Sequence, residues 1–156
     1  MTADLANTLY LDLEWGRVTI ELRPDLAPGH CARIRELAGE GFYDGIVFHR
    51  VIDGFMAQTG DPTGTGMGGS TKGNLRAEFS KAPFDRGVVG AARAQNPNSA
   101  DSQFFIMLDD GHFLNGQYTV WGKVVDGMDH VDRIAKGEPP KKPDKIVKMS
   151  LADAAK

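Results

Sequence analysis

Two stretches of this chain decide its fold: FHRVIDGFMAQTGD at residues 48–61 and SQFFI at residues 102–106. Both are rich in aromatic and other apolar residues. Arg50 stands among the apolar residues of the first stretch. An arginine in such a position either forms a structural ion pair within the core or presents its guanidinium group to a binding site. The residues alone leave both alternatives open.

Further strand signals lie on either side of these stretches. Apolar and polar residues alternate over residues 9–13 and 18–22, which predicts an N-terminal β-hairpin. Residues 61–74 are rich in glycine and lack apolar periodicity, so we expect an exposed loop, named here the glycine-rich loop. Short apolar runs bounded by turn residues predict additional strands at residues 47–51, 88–92, 104–108, 120–125 and 146–151.

Two segments have the apolar spacing of helices. Residues 28–40 begin with Pro28, which suits a first helical turn, and residues 127–136 end before Gly137. The only cysteine, Cys31, falls on the apolar side of the first segment and is expected to be a small core residue. The sequence therefore predicts two helices among many short strands.

This pattern favours a mainly β fold. Closure of the strands into a barrel removes exposed edges, and two helices can cover the open ends. We therefore expect a closed antiparallel β-barrel capped by two α-helices, formed by residues 1–156 as a single domain of ordinary size.

Composition excludes several function classes. A formal net charge of −3 provides no basic surface for nucleic acid. The chain has no apolar run of about 18 to 20 residues that would span a membrane, and its first residues lack the features of a signal peptide. We expect no membrane association, a cytoplasmic location and, since no heptad repeat or apolar stripe occurs, a monomer.

Common catalytic and cofactor motifs are absent or misplaced. GTGMGG at residues 64–69 satisfies the dinucleotide-binding pattern, but its flanks do not predict the strand and helix that such a site requires. The chain has no G-x-S-x-G nucleophile motif. Its histidines lack metal-ligand spacing, so we expect neither metal nor cofactor.

The stretches at residues 48–61 and 102–106 resemble the two signature stretches of the cyclophilins, and the similarity extends over nearly the whole chain. The resemblance implies eight strands in the barrel and peptidyl-prolyl cis-trans isomerase activity that assists protein folding. It also implies a groove on the outer surface of the barrel that binds proline-containing polypeptides in extended conformation.

The resemblance also implies roles for individual residues. Arg50 is similar to the family's catalytic arginine, and Gln58 would act beside it on the substrate carbonyl. Gln103 resembles a second polar residue that binds the peptide, and Gly66 a glycine of the loop beside the groove. The proline pocket would be formed by Phe55, Met56, Phe105, Phe113 and Leu114. Ala92, Arg93 and Ala94 would form the strand edge that faces the substrate. Tyr118 would occupy the remaining position of the family's binding site.

Three residues depart from the family pattern. Phe113 replaces a common tryptophan whose indole N–H can bind cyclosporin, so cyclosporin is expected to bind weakly. Tyr118 replaces a common histidine, and Arg93 a common asparagine. Two alternatives remain open: a peptide-binding module or chaperone with the same groove but negligible isomerase activity, and a nucleotide-binding domain built around Gly64.

Overall fold

A computed structural model of the protein describes residues 5–153, which form one antiparallel sheet of eight strands and two α-helices. In chain order the strands are β1 (Thr8–Leu13), β2 (Gly16–Leu22), β3 (Arg50–Ile52), β4 (Met56–Thr59), β5 (Val88–Ala91), β6 (Phe104–Met107), β7 (Val120–Asp126) and β8 (Lys148–Leu151). Their order in the sheet is β3-β4-β6-β5-β7-β2-β1-β8.

The N-terminal hairpin forms as its alternation predicts. Leu9 pairs with Ile20 and Leu11 with Val18, and all four side chains are buried on one face of β1 and β2. Cross-strand pairs of this kind fix the register, because a slip by one residue would expose the whole apolar set.

The sheet does not close, so the prediction of a closed barrel is wrong. The strands curl into an open half-barrel, and the edge strands β3 and β8 do not pair with each other. The irregular segment before β8 covers the β3 edge instead: Val51 and Gly137 exchange two backbone hydrogen bonds of 2.8 Å each, and Phe48 N–H donates to the Asp144 carbonyl. These contacts satisfy backbone hydrogen-bonding groups at the β3 edge without a strand ladder.

The helices are α1 (Pro28–Gly39) and α2 (Met128–Asp132). The first matches its prediction and buries Cys31, Ile34 and Leu37 against β7 and β8. The second contacts β2 and is shorter than predicted, since the chain continues beyond it in turns. Within residues 5–153, no helix is both long and apolar enough to cross a bilayer.

The central strands bury both of their faces. In β6, Phe104 and Ile106 join the main core inside the curl, whereas Phe105 and Met107 join a smaller apolar cluster on the outer side. In β4, Ala57 joins the main core while Met56 joins the outer cluster. Alternation along a strand therefore builds a second apolar surface outside the sheet, and this surface positions the candidate site.

Candidate active site

A groove of about 680 Å³ crosses the outer side of β3, β4 and β6. Strand pairing sets its residues side by side, since Arg50 lies opposite Gln58 and Gln58 lies opposite Phe105. The residues that line it are His49, Arg50, Phe55, Met56, Gln58, Gly64, Thr65, Gly66, Ala92, Arg93, Phe105, Leu114, Tyr118, Glu138 and Pro139.

A relay of side-chain hydrogen bonds runs along the polar wall of this groove. Arg50 Nη1 donates to Gln58 Oε1 at 3.3 Å, and Gln58 Nε2 donates to Gln103 Oε1 at 2.9 Å. Gln103 Nε2 then donates to the carbonyl oxygens of Gly66 at 3.0 Å and Gly68 at 2.9 Å. The relay connects the guanidinium group to the glycine-rich loop and orients both glutamine amides.

Arg50 is 44% exposed and forms an ion pair with Glu138, whose Oε1 lies 3.1 Å from Arg50 Nε. The alternative of a structural ion pair within the core is therefore wrong for this arginine. Its charge stands at the surface of the groove, where it can donate hydrogen bonds to a ligand.

The opposite part of the groove is apolar. Met56, Phe105 and Leu114 are buried in the outer cluster, and Phe55 packs against it. The ring of Phe105 stacks on Phe84 with centroids 5.8 Å apart. This arrangement provides a rigid apolar pocket for a ring the size of proline.

Gly90 allows the Phe105 and Phe84 rings to approach the sheet. It lies opposite Phe105 in the β5–β6 pair, and a Cβ atom at this position would lie 2.8 Å from each ring. Any larger residue would therefore displace the floor of the pocket.

Asp61 holds the glycine-rich loop. Its carboxylate is 1% exposed and accepts backbone N–H groups of Thr63 (2.8 Å), Thr65 (3.1 Å) and Gly66 (2.6 Å), together with the Thr63 hydroxyl (2.7 Å). Burial alone would raise the pKa of this carboxyl group, but these hydrogen bonds outweigh it and hold the pKa well below the usual range.

The connection from β4 to this loop depends on Gly60. Its φ of +99° favours glycine, and a side chain would collide with the Ser102 carbonyl. The loop follows β4, but the next strand or α-helix after residues 64–69 is β5 rather than a helix. The helix N-terminus that a dinucleotide site needs is therefore missing from this position.

Arg93 closes one end of the groove. Its guanidinium carbon lies 4.5 Å from the centroid of the Tyr118 ring, and its Nη atoms donate to the carbonyl oxygens of Ala94 at 2.9 Å and Gln117 at 2.6 Å. The side chain thus stabilises the groove wall through a cation–π contact and backbone hydrogen bonds. In the strand edge that is predicted to face the substrate, two backbone N–H groups already form hydrogen bonds within the chain. Ala92 N–H donates to Gln103 O, and Ala94 N–H donates to Ser99 Oγ.

His49 lies beneath Gly66 and is 7% exposed. Neither of its ring nitrogens has a hydrogen-bond partner among residues 5–153. Burial lowers the pKa of His49 below its usual value of 6.5, more than the nearby carboxylate of Asp61 raises it. The imidazole is therefore mainly neutral at neutral pH.

One cluster outside the groove has the geometry to hold a metal ion. Asp85, Asp110 and His112 each offer a ligand atom within 4.8 Å of the others. His112 Nε2 lies 2.7 Å from Asp85 Oδ1, and this hydrogen bond raises the pKa of the histidine. Since the cluster is largely exposed and none of its members lines the groove, it plays no part in the candidate site.

Comparison with known proteins decides the family. Residues 8–151 match the family model of the cyclophilin type peptidyl-prolyl cis-trans isomerases. The chain belongs to this family. The resemblance inferred from residues 48–61 and 102–106 is thereby confirmed, and the chain is a cyclophilin-type peptidyl-prolyl cis-trans isomerase.

Proteins that are similar to this chain in sequence and in structure are peptidyl-prolyl isomerases and cyclophilins as well. A probable peptidyl-prolyl cis-trans isomerase of Brucella suis is 58% identical, with 96% of this chain and 84% of the relative covered. The cyclophilin AquaCyp293 of Hirschia baltica has a TM-score of 0.89 at 30% identity and covers 97% of this chain and 76% of its own. A cyclophilin type isomerase of Cryptosporidium parvum, crystallised in the presence of the dipeptide Ala-Pro, has a TM-score of 0.85 at 30% identity, with coverages of 92% and 98%.

Most of the site residues predicted from the cyclophilin resemblance line the groove. Ala94 and Gln103 instead line an adjoining groove of about 450 Å³ on the far side of Gly66. Phe113 lines neither groove: it is 73% exposed in the short turn His112–Leu114, whose Leu114 faces inward. Its ring contacts Phe55 at the rim, with centroids 5.5 Å apart.

Sequence reasoning missed several residues of the cyclophilin groove, chiefly His49 and Glu138. His49 is adjacent to Arg50 in the first signature stretch, and this position is a signal in the sequence that indicates a place near the groove. Glu138 comes from the proline-rich segment before β8, more than eighty residues after Arg50, and no local pattern connects the two.

Proposed function

We propose that Arg50 catalyses rotation about X–Pro bonds without a covalent intermediate, while the apolar pocket holds the proline ring. The observation that supports this role is the placement of a fixed, half-exposed guanidinium group in the same groove as Phe55, Met56 and Phe105. A cation and an apolar pocket that share one groove can bind the two chemically different parts of an X–Pro unit.

The reaction requires no bond to be broken. Resonance gives the peptide C–N bond a rotational barrier of about 18 to 20 kcal/mol. Rotation localises the lone pair on the proline nitrogen, and a hydrogen bond from Arg50 to that nitrogen or to the neighbouring carbonyl would stabilise the twisted state more than the planar one. A 10⁵-fold acceleration would require about 7 kcal/mol, which positioning and charge in a partly dry groove can supply.

Gln58 is proposed to hold the carbonyl end of the substrate. Its Oε1 already accepts from Arg50 and its Nε2 donates to Gln103, so its side chain is fixed at the centre of the relay. We further propose that Arg93 offers its backbone to the extended substrate, because the neighbouring N–H groups of Ala92 and Ala94 are used within the chain.

The proposed cellular role is assistance to protein folding through binding of extended, proline-containing segments. Isomerisation of X–Pro bonds takes tens to hundreds of seconds unaided and can limit the rate of folding. The monomeric state and the cytoplasmic location stay predictions. Sedimentation equilibrium and fractionation of the source cells would test them.

The first experiment measures the cis-to-trans rate of an Ala-Pro-Phe peptide with catalytic amounts of the folded protein. A rate that rises in proportion to protein concentration is expected. If a folded protein binds the peptide but leaves the rate unchanged, the alternative of a peptide-binding module without activity is favoured.

The isomerase rate is expected to be nearly independent of pH between about pH 6.5 and pH 8. Arginine keeps its charge throughout this range, and burial keeps the pKa of His49 below its usual value of 6.5, so the imidazole stays mainly neutral. The measurement is kcat/KM against pH for one neutral peptide. A bell-shaped profile in this range would show a general acid or base and contradict the proposed mechanism.

Phe113→Trp is expected to tighten cyclosporin binding by about fivefold, the value of one hydrogen bond near 1 kcal/mol. The exposed ring of Phe113 at the rim lacks the indole N–H that a tryptophan would offer to the ligand. Calorimetric titration of both variants measures the change. Phe79→Trp, which adds an indole at an exposed phenylalanine outside the groove, is the control; equal affinities in all three proteins would refute the prediction.

A further inference from the structure

Glu138 reaches the groove from outside the sheet ladder. Its neighbour Gly137 exchanges two backbone hydrogen bonds with Val51, the residue after Arg50. This bridge fixes the backbone immediately beside both charged residues and brings Glu138 Oε1 to 3.1 Å from Arg50 Nε. Backbone hydrogen bonds therefore hold both ends of this ion pair in place, so that it does not join two freely moving surface residues.

The guanidinium group of Arg50 is held at two of its three nitrogens. Glu138 accepts from Nε, and Gln58 accepts from Nη1 on the other side of the group. Within residues 5–153 we find no hydrogen bond from Nη2. We propose that Glu138 is a positioning residue for Arg50, which fixes the guanidinium plane so that Nη2 is presented to the X–Pro unit. This inference rests on the catalytic role proposed above for Arg50.

Two opposing effects of Glu138 have to be weighed. Its negative charge reduces the field of the guanidinium group, whereas its hydrogen bond restricts a long side chain that otherwise samples many rotamers. The side chains are 44% and 57% exposed, so solvent screens the charge effect strongly. Misplacement of a catalytic group by about 1 Å can cost up to 100-fold in rate. Positioning therefore outweighs charge neutralisation.

The same exposure implies that the pair contributes little to folding stability, as is usual for surface ion pairs. Loss of Glu138 should therefore change catalysis without unfolding the protein. This separation makes the proposal testable by substitution.

The test compares Glu138→Ala and Glu138→Gln with the wild type in steady-state isomerisation of a neutral peptide. Glu138→Ala is expected to lower kcat by about tenfold with little change in KM, since ground-state binding depends mainly on the apolar pocket. Glu138→Gln keeps an Oε1 atom that accepts from Arg50 Nε, and should retain most of the activity.

Asp25→Ala is the matched control. Asp25 Oδ1 lies 3.1 Å from Arg23 Nε in a pair of similar exposure, 38% and 61%, and neither residue lines the groove. Its kcat should equal that of the wild type. The cross-peak of the Arg50 Nε–H group in a ¹⁵N NMR spectrum adds a second readout: it should be sharp in the wild type and in Glu138→Gln but broadened in Glu138→Ala.

The outcomes separate the two proposals. If Glu138→Ala matches the wild type in kcat, or if Glu138→Gln is as impaired as Glu138→Ala, positioning by Glu138 is overturned while the isomerase mechanism stands. If the wild type loses no activity on removal of Arg50 itself, the proposed role of Arg50 fails first, and the Glu138 proposal fails with it.

Discussion

Replacing Arg50 with alanine is expected to lower kcat/KM for X–Pro isomerisation by about 100-fold or more, the usual cost of removing a donor that stabilises a transition state. The apolar pocket stays intact in this variant, because Arg50 lines the opposite wall and belongs to neither apolar cluster. Peptide binding should therefore weaken less than turnover. The measurement is steady-state kinetics of a neutral Ala-Pro-Phe peptide, with binding followed by calorimetry.

Arg50→Lys separates charge from geometry. Lysine keeps a positive charge but lacks the planar fork that allows Arg50 to donate to Glu138, Gln58 and substrate at once. We expect its activity to lie between those of the wild type and Arg50→Ala. Arg17→Ala removes another exposed arginine that pairs with a carboxylate, Asp12, and should be fully active. Full activity of Arg50→Ala would exclude this arginine from the mechanism.

Much of the fold could be predicted because its signals are local. Alternation in the N-terminal hairpin and the apolar spacing after Pro28 placed β1, β2 and α1 correctly. β4 gave no comparable strand signal, since its four residues, MAQT at positions 56–59, neither alternate between apolar and polar nor form a continuous apolar run. Both patterns by which strands are recognised are therefore missing from β4, although Met56, Ala57 and Thr59 are buried.

The open sheet could not be predicted for a different reason. Whether β3 and β8 pair depends on the irregular segment between α2 and β8, whose backbone bonds to Val51 and Phe48 replace a ladder. Such contacts depend on the tertiary path of the chain and leave no periodic pattern in the sequence. Closure would remove the sheet edges, but this chain covers the β3 edge with backbone hydrogen bonds from an irregular segment instead.

The candidate site likewise contains residues that the sequence identifies and residues that it does not. Arg50, Gln58 and Phe105 come from long, specific stretches and could be identified, because strand pairing carries neighbouring motif residues into one groove. The resemblance places Phe113 in the pocket, whereas the structure places its exposed ring at the rim, in contact with Phe55. Glu138 could not be found at all, since its contact with Arg50 joins residues distant in sequence.

Asp61→Asn is expected to destabilise the protein by about 2 to 3 kcal/mol, the cost of leaving buried donors without an acceptor. Oδ1 of Asp61 accepts from Thr63 N–H, while Oδ2 accepts from Thr65 and Gly66 N–H. Whichever way an asparagine amide is oriented, its NH₂ group faces backbone donors. The melting temperature should fall by about 5 to 10 °C for a domain of this size.

Activity should fall in Asp61→Asn as well, by about tenfold, because the loop positions the groove to the precision that catalysis needs. The Gly66 carbonyl accepts from Gln103, which in turn holds Gln58 beside Arg50, so a loosened loop disturbs the whole relay. Activity is measured at temperatures well below the melting temperature of the variant, so that unfolding does not contribute to the loss of activity. Equal stability and activity of the variant and the wild type would contradict the role assigned to Asp61.

The pH dependence of stability gives an independent check on Asp61. Its pKa is lower in the folded protein than in the unfolded chain, where aspartate has a pKa of about 3.9. Its contribution is therefore fully present above about pH 4 and is lost as the pH falls through the folded-state value. Wild type should lose stability on acidification more steeply than Asp61→Asn. Asp53→Asn, at an exposed turn position, is the control, and its melting temperature at neutral pH should stay close to that of the wild type, because the exposed side chain leaves no buried donor without an acceptor.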